Sequence, residues 1–254
     1  MSHPLSVQLY TVRDQIAEDR DTVLRRLAEL GFDAVEPFQP TLDPVGFRKV
    51  ADDLGLRVSS THAMGLIQDE DPRPVFEAIA TLGTDLAIVP AGIAEEEFTS
   101  RDGLARTADR LNALAELAKA HGMRLGYHNH WWEFEPVFEG RHALELLADL
   151  LAPEVVLEVD TYWAAVGGAD VPRVLRDLGD RVVALHVKDG PLVKNEPNLV
   201  VGSGRMPVLD VLAAAPNALR VVEFDACATD VFEALGASRA YLADIADGVN
   251  GTSA

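Results

Sequence analysis

The feature that most constrains this chain is an alternation that runs along its whole length. Short apolar runs stand at Ser6–Tyr10, Asp33–Pro37, Arg57–His62, Leu86–Ala91, Arg124–His130, Val155–Asp160, Val182–Asp189 and Arg220–Asp225. They are rich in Val, Leu and Ile and mostly continuous, as strands buried on both faces are. Between them lie periodic stretches with helix punctuation. "DTVLRRLAELG" opens on an Asp-Thr cap, "DPVGFRKVADDLG" has Pro44 inside its start, and "DPRPVFEAIATLG" and "SRDGLARTADRLNALAELAKAHG" end on Gly83 and Gly122. An Asp or Ser start and a Gly stop satisfy the unpaired backbone groups of helix ends. "GRHALELLADLLA", "DVPRVLRDLGD", "PVLDVLAAAP" and "DVFEALGASRAYLADIADG" follow, before a polar tail, "VNGTSA". Eight strands and eight helices over 254 residues give about 32 residues per unit, the size of a βα unit. No Pro/Ser-rich linker divides the chain, so residues 1–254 are expected to form one domain, a single (β/α)8 TIM barrel. An open doubly wound sheet is the alternative. It would place G-x-G-x-x-G after the first strand, where "VQLYTVRD" stands instead.

Charge narrows the partners. The net charge is −19, from 41 acidic and 22 basic residues. Phosphate backbones and anionic membranes are held by Lys and Arg, so nucleic acid and membrane surfaces are excluded as partners. Such a surface keeps a protein soluble; part of the acid can also serve a cation site. Cys227 is the only cysteine and has no base nearby in "EFDACATD", so an inert thiol is expected. The first residues show no charged region followed by a long apolar run, and no window reaches membrane-spanning length. A cytoplasmic protein is the expectation, and the oligomeric state stays open, a homo-oligomer included.

Polar residues gather at one end of the apolar runs. Glu36 closes the second and His62 the third. The fifth leads into "LGYHNHWWEF", with His128, Asn129, His130 and Glu133. The sixth ends in Glu158 and Asp160, the seventh in His186, Lys188 and Asp189, the eighth in Glu223 and Asp225. Barrel active sites lie at these C-terminal strand ends. Glu133 to Asp160 is 27 residues, Asp160 to His186 is 26 and His186 to Glu223 is 37, each about one βα unit. Three carboxylates and an imidazole brought to one height repel and are costly to desolvate, and a divalent cation removes that cost. The oxygen-rich set suits Mn2+, with Mg2+, Co2+ or Zn2+ as alternatives. Taken singly, these residues have plainer roles. His62 serves equally as a hydrogen-bonded structural residue, Asp189 and Asp225 as helix caps, Glu158 as the partner of an Arg, and Trp131, Trp132 and Trp163 as packing.

With "VQLYTVRD", "YHNHWWEF", "LEVDTYW", "LHVKD", "VGSGR" and "VVEFD" in order, the chain resembles the sugar phosphate isomerase/epimerase family of xylose isomerase-like TIM barrels. The resemblance implies one divalent metal, commonly Mn2+, held by Glu, Asp, His and Glu. The last three map onto Asp160, His186 and Glu223. The strand-five Glu of many members falls on Gly126, which has no side chain to ligate. Glu133 in the "HNH-x-x-E-F" stretch is the substitute, with His128 as the alternative because it shares a strand face with Gly126.

The resemblance further implies carbohydrate chemistry: a sugar isomerase or epimerase acting on a keto-sugar or related polyol through an enediolate. Glu223 would take one proton-transfer role, with Glu133 and His130 competing for the other. Lys188 would neutralise the oxyanion. Substrate contacts are expected from Glu36, His62, His128, Trp163 and Arg205. The same enediolate can expel a β-leaving group, so a dehydratase or lyase of a keto-inositol or 3-keto-glycoside is the alternative. No phosphate cradle of the G-x-x-x-x-G-K type appears, so nothing supports a phosphorylated substrate.

Overall fold

The computed structural model describes residues 4–251. Every apolar run forms a strand: Leu5–Gln8, Ala34–Glu36, Arg57–Val58 with Thr61–His62, Leu86–Val89, Arg124–His128, Val156–Asp160, Val182–Val187 and Leu219–Val222. They pair in parallel, in chain order, and Leu5 opposite Arg220 joins the first strand to the eighth. The sheet has nine segments because the third strand breaks at Ser59 and Ser60. Its first piece pairs with the second strand and its second piece with the fourth. Apart from that step the barrel is closed, and the predicted (β/α)8 architecture is the one observed.

The helices follow their punctuation. Asp43 accepts the Gly46 amide at 3.1 Å ahead of Pro44, and Ser100 accepts that of Gly103 at 3.1 Å. The first helix differs from its reading. It starts at Arg13, after a 3-10 turn over Leu9–Val12, and bends at Asp19, whose carboxylate takes the Thr22 amide and hydroxyl. The cap is therefore Asp19 rather than the Asp21–Thr22 pair. Gly65–Gln68 and Thr161–Val166 add short helices at the top of the barrel. The last helix, Val231–Gly251, takes in the start of the polar tail; residues 252–254 lie outside the described residues. No helix of the described residues is long and apolar enough to cross a membrane.

One continuous apolar layer fills the space between strands and helices. Inside the barrel a smaller plug forms from Leu86, Ile88 and Val156, with Val183 against it. Gly126 faces that plug. A Cβ there would stand 2.3 Å from Ile88 Cδ1, so a side chain at this strand-five position would require Ile88 to shift. The plug is the floor on which the polar residues above it sit.

After the seventh strand the chain makes a long return containing "VGSGR". Asp189 organises it. One carboxylate oxygen accepts the amides of Gly190 and Met206 at 2.8 and 3.0 Å, and the other those of Gly202 and Gly204 at 2.9 Å each. The residue caps a loop, not a helix. Four amides on one buried carboxylate leave four orphan donors if it is removed, so Asp189→Ala should cost about 3 kcal/mol or more in urea unfolding.

Candidate metal centre

Parallel register sets the interior side chains in layers. His128 lies opposite Glu158, and Asp160 opposite His186. Strand pleating then points Glu158 and Asp160 to the same side, one layer apart. Two buried groups result, each with ligand atoms within 4.8 Å of one another: His128, Asp160, His186 and Glu223 above, and His62, His128, Glu158 and His186 below.

His186 joins the two. Its Nδ1 lies 2.7 Å from Glu223 Oε2, and its Nε2 lies 2.8 Å from Glu36 Oε1 and 3.1 Å from Glu158 Oε2. Burial opposes its charge, but Glu158 and Glu223 outweigh burial and hold the imidazole well above its usual range. Glu158 Oε2 also meets His62 Nε2 at 2.5 Å and His128 Nδ1 at 3.1 Å. Burial would raise Glu158, yet His186 and His62 hold it well below the usual carboxylate range. Glu36 takes a 2.6 Å bond from Gln8 Nε2 and another from the Ser60 hydroxyl. Burial and the charge of Glu158 push Glu36 up. Neither Gln8 nor Ser60 was expected in the site; a polar residue in the middle of an otherwise apolar strand was the available signal.

Above, Lys188 Nζ reaches Asp160 Oδ2 at 2.8 Å, Glu223 Oε2 at 2.6 Å and Asp225 Oδ2 at 2.7 Å. Those carboxylates raise the lysine well above its usual range against its burial. Asp160 is pushed up to about 6, chiefly by burial, with Lys188 opposing and Glu223 adding repulsion. Its other oxygen caps the Thr161–Val166 helix through the Trp163 amide at 2.8 Å, and Asn129 clamps its backbone. His128 is held well below the usual imidazole range by burial and by His186. Burial, then Lys188, lowers His130 to about 3. His130 stacks on Trp132 at 4.2 Å, and its buried Nδ1 has no hydrogen-bond partner.

A cavity of about 320 Å³ opens onto these groups. Tyr10, Phe38, Met64, Pro90 and Ala91 line one part of it, all from the ends of the first four strands. His128, His130, Lys188, Glu223 and Asp225 line the other, all from the last four, with His62 below. Strands one to four thus make an apolar wall facing a reactive one. A larger hollow, about 850 Å³, lies at the other end of the barrel around Arg48, Arg57 and Arg124 and holds none of these groups.

Of the residues expected at the site, the structure gathers Asp160, His186, Glu223, Lys188, His128, His130 and His62. Glu36 lies beneath them. It does not bring Glu133 there. The Tyr127 hydroxyl donates to Glu133 Oε1 at 2.7 Å and the His130 amide to Oε2 at 2.8 Å. Tyr127 points to the strand face opposite His128, and Glu133 follows it there. Trp163 packs against Trp131 at 4.7 Å and under Lys188 at 5.5 Å, outside the cavity lining. Arg205 is exposed on the return loop.

The four upper residues fit a divalent ion: two imidazole nitrogens and two carboxylate oxygens, converging and buried. Lys188 has a further carboxylate, Asp225, outside that set.

The model of the xylose isomerase-like TIM barrel matches residues 24–215, more than half of the chain. The chain belongs to that family. A 3-dehydroshikimate dehydratase from Pseudomonas aeruginosa is 28% identical over 187 residues, 67% of this chain and 28% of that protein. An inosose dehydratase from Geobacillus kaustophilus is 28% identical over 231 residues, 82% of this chain and 72% of that one. The chain thus spans little more than a quarter of the first relative. Among solved structures, a sugar phosphate isomerase/epimerase from Parabacteroides distasonis superposes with a TM-score of 0.78 at 22% identity, covering 94% of this chain and 97% of the other. That likeness carries the fold.

Glu133 gives a test of its own. Burial lifts it from 4.5 to about 7, so the folded state favours the protonated acid. The stability this contributes is full below about 4.5 and is lost as pH rises through about 7, a swing on the order of 3 kcal/mol. Glu133→Gln cannot titrate. Urea unfolding from pH 5 to 8 should show a flatter decline for the variant than for the wild type.

Proposed function

We propose that this chain is a divalent-metal-dependent enzyme that removes a proton beside the carbonyl of a keto-sugar or related cyclic polyol and then expels a β-oxygen. The observation that carries this reading is the two-walled cavity. Every group able to move a proton there, apart from the Tyr10 hydroxyl and deep-lying His62, comes from strands five to eight. Inverting a carbon needs proton donors and acceptors on both faces of the substrate. Elimination with the proton and the leaving oxygen on one face needs a single reactive wall. The two dehydratase relatives are consistent with it. A 1,2-isomerisation also runs along one face, so the isomerase reading stands as the second, separated by its product.

His128, Asp160, His186 and Glu223 would hold the metal. A cation bound there supplies a Lewis acid that polarises the substrate carbonyl and acidifies the neighbouring C–H. His130 lines the cavity, and burial keeps its imidazole neutral. It takes the carbon-bound proton, leaving an enediolate, and as imidazolium returns a proton to the departing oxygen as the β C–O bond breaks. The oxygen leaves as water or as an alcohol. Lys188 faces the oxyanion with its ammonium. His186 and Lys188 keep Glu223 ionised, against its burial. Lys188 is the one lysine or arginine lining the cavity among the described residues, and three carboxylates engage it, which favours a substrate without phosphate.

Two measurements test the reading. Chelation should lower the melting temperature and Mn2+ should restore it, by about 2.7 kcal/mol at a hundredfold excess over Kd. Asp160→Asn should blunt that response; wild-type Mn2+ affinity in the variant would remove Asp160 from the centre. Against a panel of keto-inositols and 3-keto-glycosides, turnover should yield an unsaturated product lighter by water or an alcohol. His130→Asn should lower it about 10²–10⁴-fold with Mn2+ affinity unchanged. A product of unchanged mass would favour isomerisation.

A further inference from the structure

The lower group is more than a support for the upper one. Three imidazole nitrogens, His62 Nε2, His128 Nδ1 and His186 Nε2, converge on one oxygen, Glu158 Oε2, at 2.5, 3.1 and 3.1 Å. Glu36 Oε1 stands 2.8 Å from His186 Nε2 and 3.4 Å from His62 Nε2. Hydrogen bonds with His62 and His128 use both lone pairs of that oxygen, while His186 Nε2 bonds to Glu36 and crowds the same point without a lone pair left for it. Glu158 Oε1 meanwhile is buried without a partner. Nitrogens crowded round one point beside an unused carboxylate oxygen describe a coordination sphere better than a hydrogen-bond network.

We infer that the barrel has a second, inner cation seat made by His62, His128, Glu158 and His186, and that it takes nitrogen-preferring ions such as Zn2+, while the outer seat takes oxygen-preferring ions such as Mn2+. The donor sets differ in that sense: three imidazoles and a carboxylate inside, two imidazoles and two carboxylates outside. His128 and His186 serve both, through opposite nitrogens. His128 turns Nδ1 to Glu158 and Nε2 towards Asp160 at 3.9 Å; His186 turns Nε2 to Glu158 and Nδ1 to Glu223. A neutral imidazole that ligates through one nitrogen keeps its proton on the other. The two seats therefore exclude each other. Zn2+ held inside would leave the outer seat empty, so Zn2+ competes with Mn2+ through its own ligands, His62 and Glu158, rather than by displacing it from Asp160 and Glu223.

The inference extends the proposed function, and the test separates the two. Metal-stripped protein is titrated with ZnCl2 and with MnCl2 by calorimetry, as wild type, His62→Gln and Asp160→Asn, with circular dichroism to check folding. His62→Gln should weaken Zn2+ at least tenfold and leave Mn2+ within about threefold; Asp160→Asn should do the reverse. Loss of Zn2+ in Asp160→Asn, with His62→Gln at wild-type Zn2+ affinity, would leave one outer seat and overturn the inference. If Mn2+ ignores Asp160→Asn while Zn2+ depends on His62, the inner seat stands and the proposed catalytic centre falls. Should His62→Gln not fold, Glu158→Gln serves in its place and is judged by the same criteria.

Discussion

Both nitrogens of His186, a fully buried residue, are held by carboxylates, Glu223 on one side and Glu36 with Glu158 on the other. Those contacts bind the second, sixth, seventh and eighth strands at one height. Removing any one partner would strand charge in a low-dielectric interior, which costs far more than the pair itself contributes. The interior thus has little freedom to slip register. The apolar plug of Leu86, Ile88 and Val156 sets the floor of this network, and Lys188 with its three carboxylates closes it above.

Electrostatic balance explains why so acidic a chain buries so many carboxylates. Glu36, Glu158, Asp160 and Glu223 share their space with Lys188 and a ring of imidazoles. Desolvation drives Glu36 and Asp160 towards protonation, whereas positive neighbours keep Glu158 and Glu223 ionised. Carboxylates of the same type are thereby separated in protonation behaviour by position alone, a division acid–base chemistry uses.

The alternation of apolar runs and capped helices made the barrel legible, because each run had to be buried on both faces. Spacing by whole βα units did the same for Asp160, His186 and Glu223. Legibility stopped where contact depends on a face or a depth. Glu133 lay near the right place in the chain, but Tyr127, on the outward face, draws it behind the strand. Glu158 suggested an Arg partner, and three histidines from other strands supply the positive surroundings. The break at Ser59–Ser60 left no mark in composition, though it lets Ser60 reach Glu36. The apolar wall of Tyr10, Phe38 and Met64 looked like ordinary loop residues, since nothing local says which loops meet over a barrel mouth.

The contact between Gly126 and Ile88 couples two positions of the barrel floor. A side chain at 126 would bring its Cβ to 2.3 Å from Ile88 Cδ1, so Ile88 must turn aside or be smaller to admit it. A smaller residue at 88 alone would open a void in the barrel floor. The two positions are therefore linked in what they tolerate. Placing a carboxylate on this strand means rebuilding the floor beneath it, and the metal chemistry above is tied to the packing below.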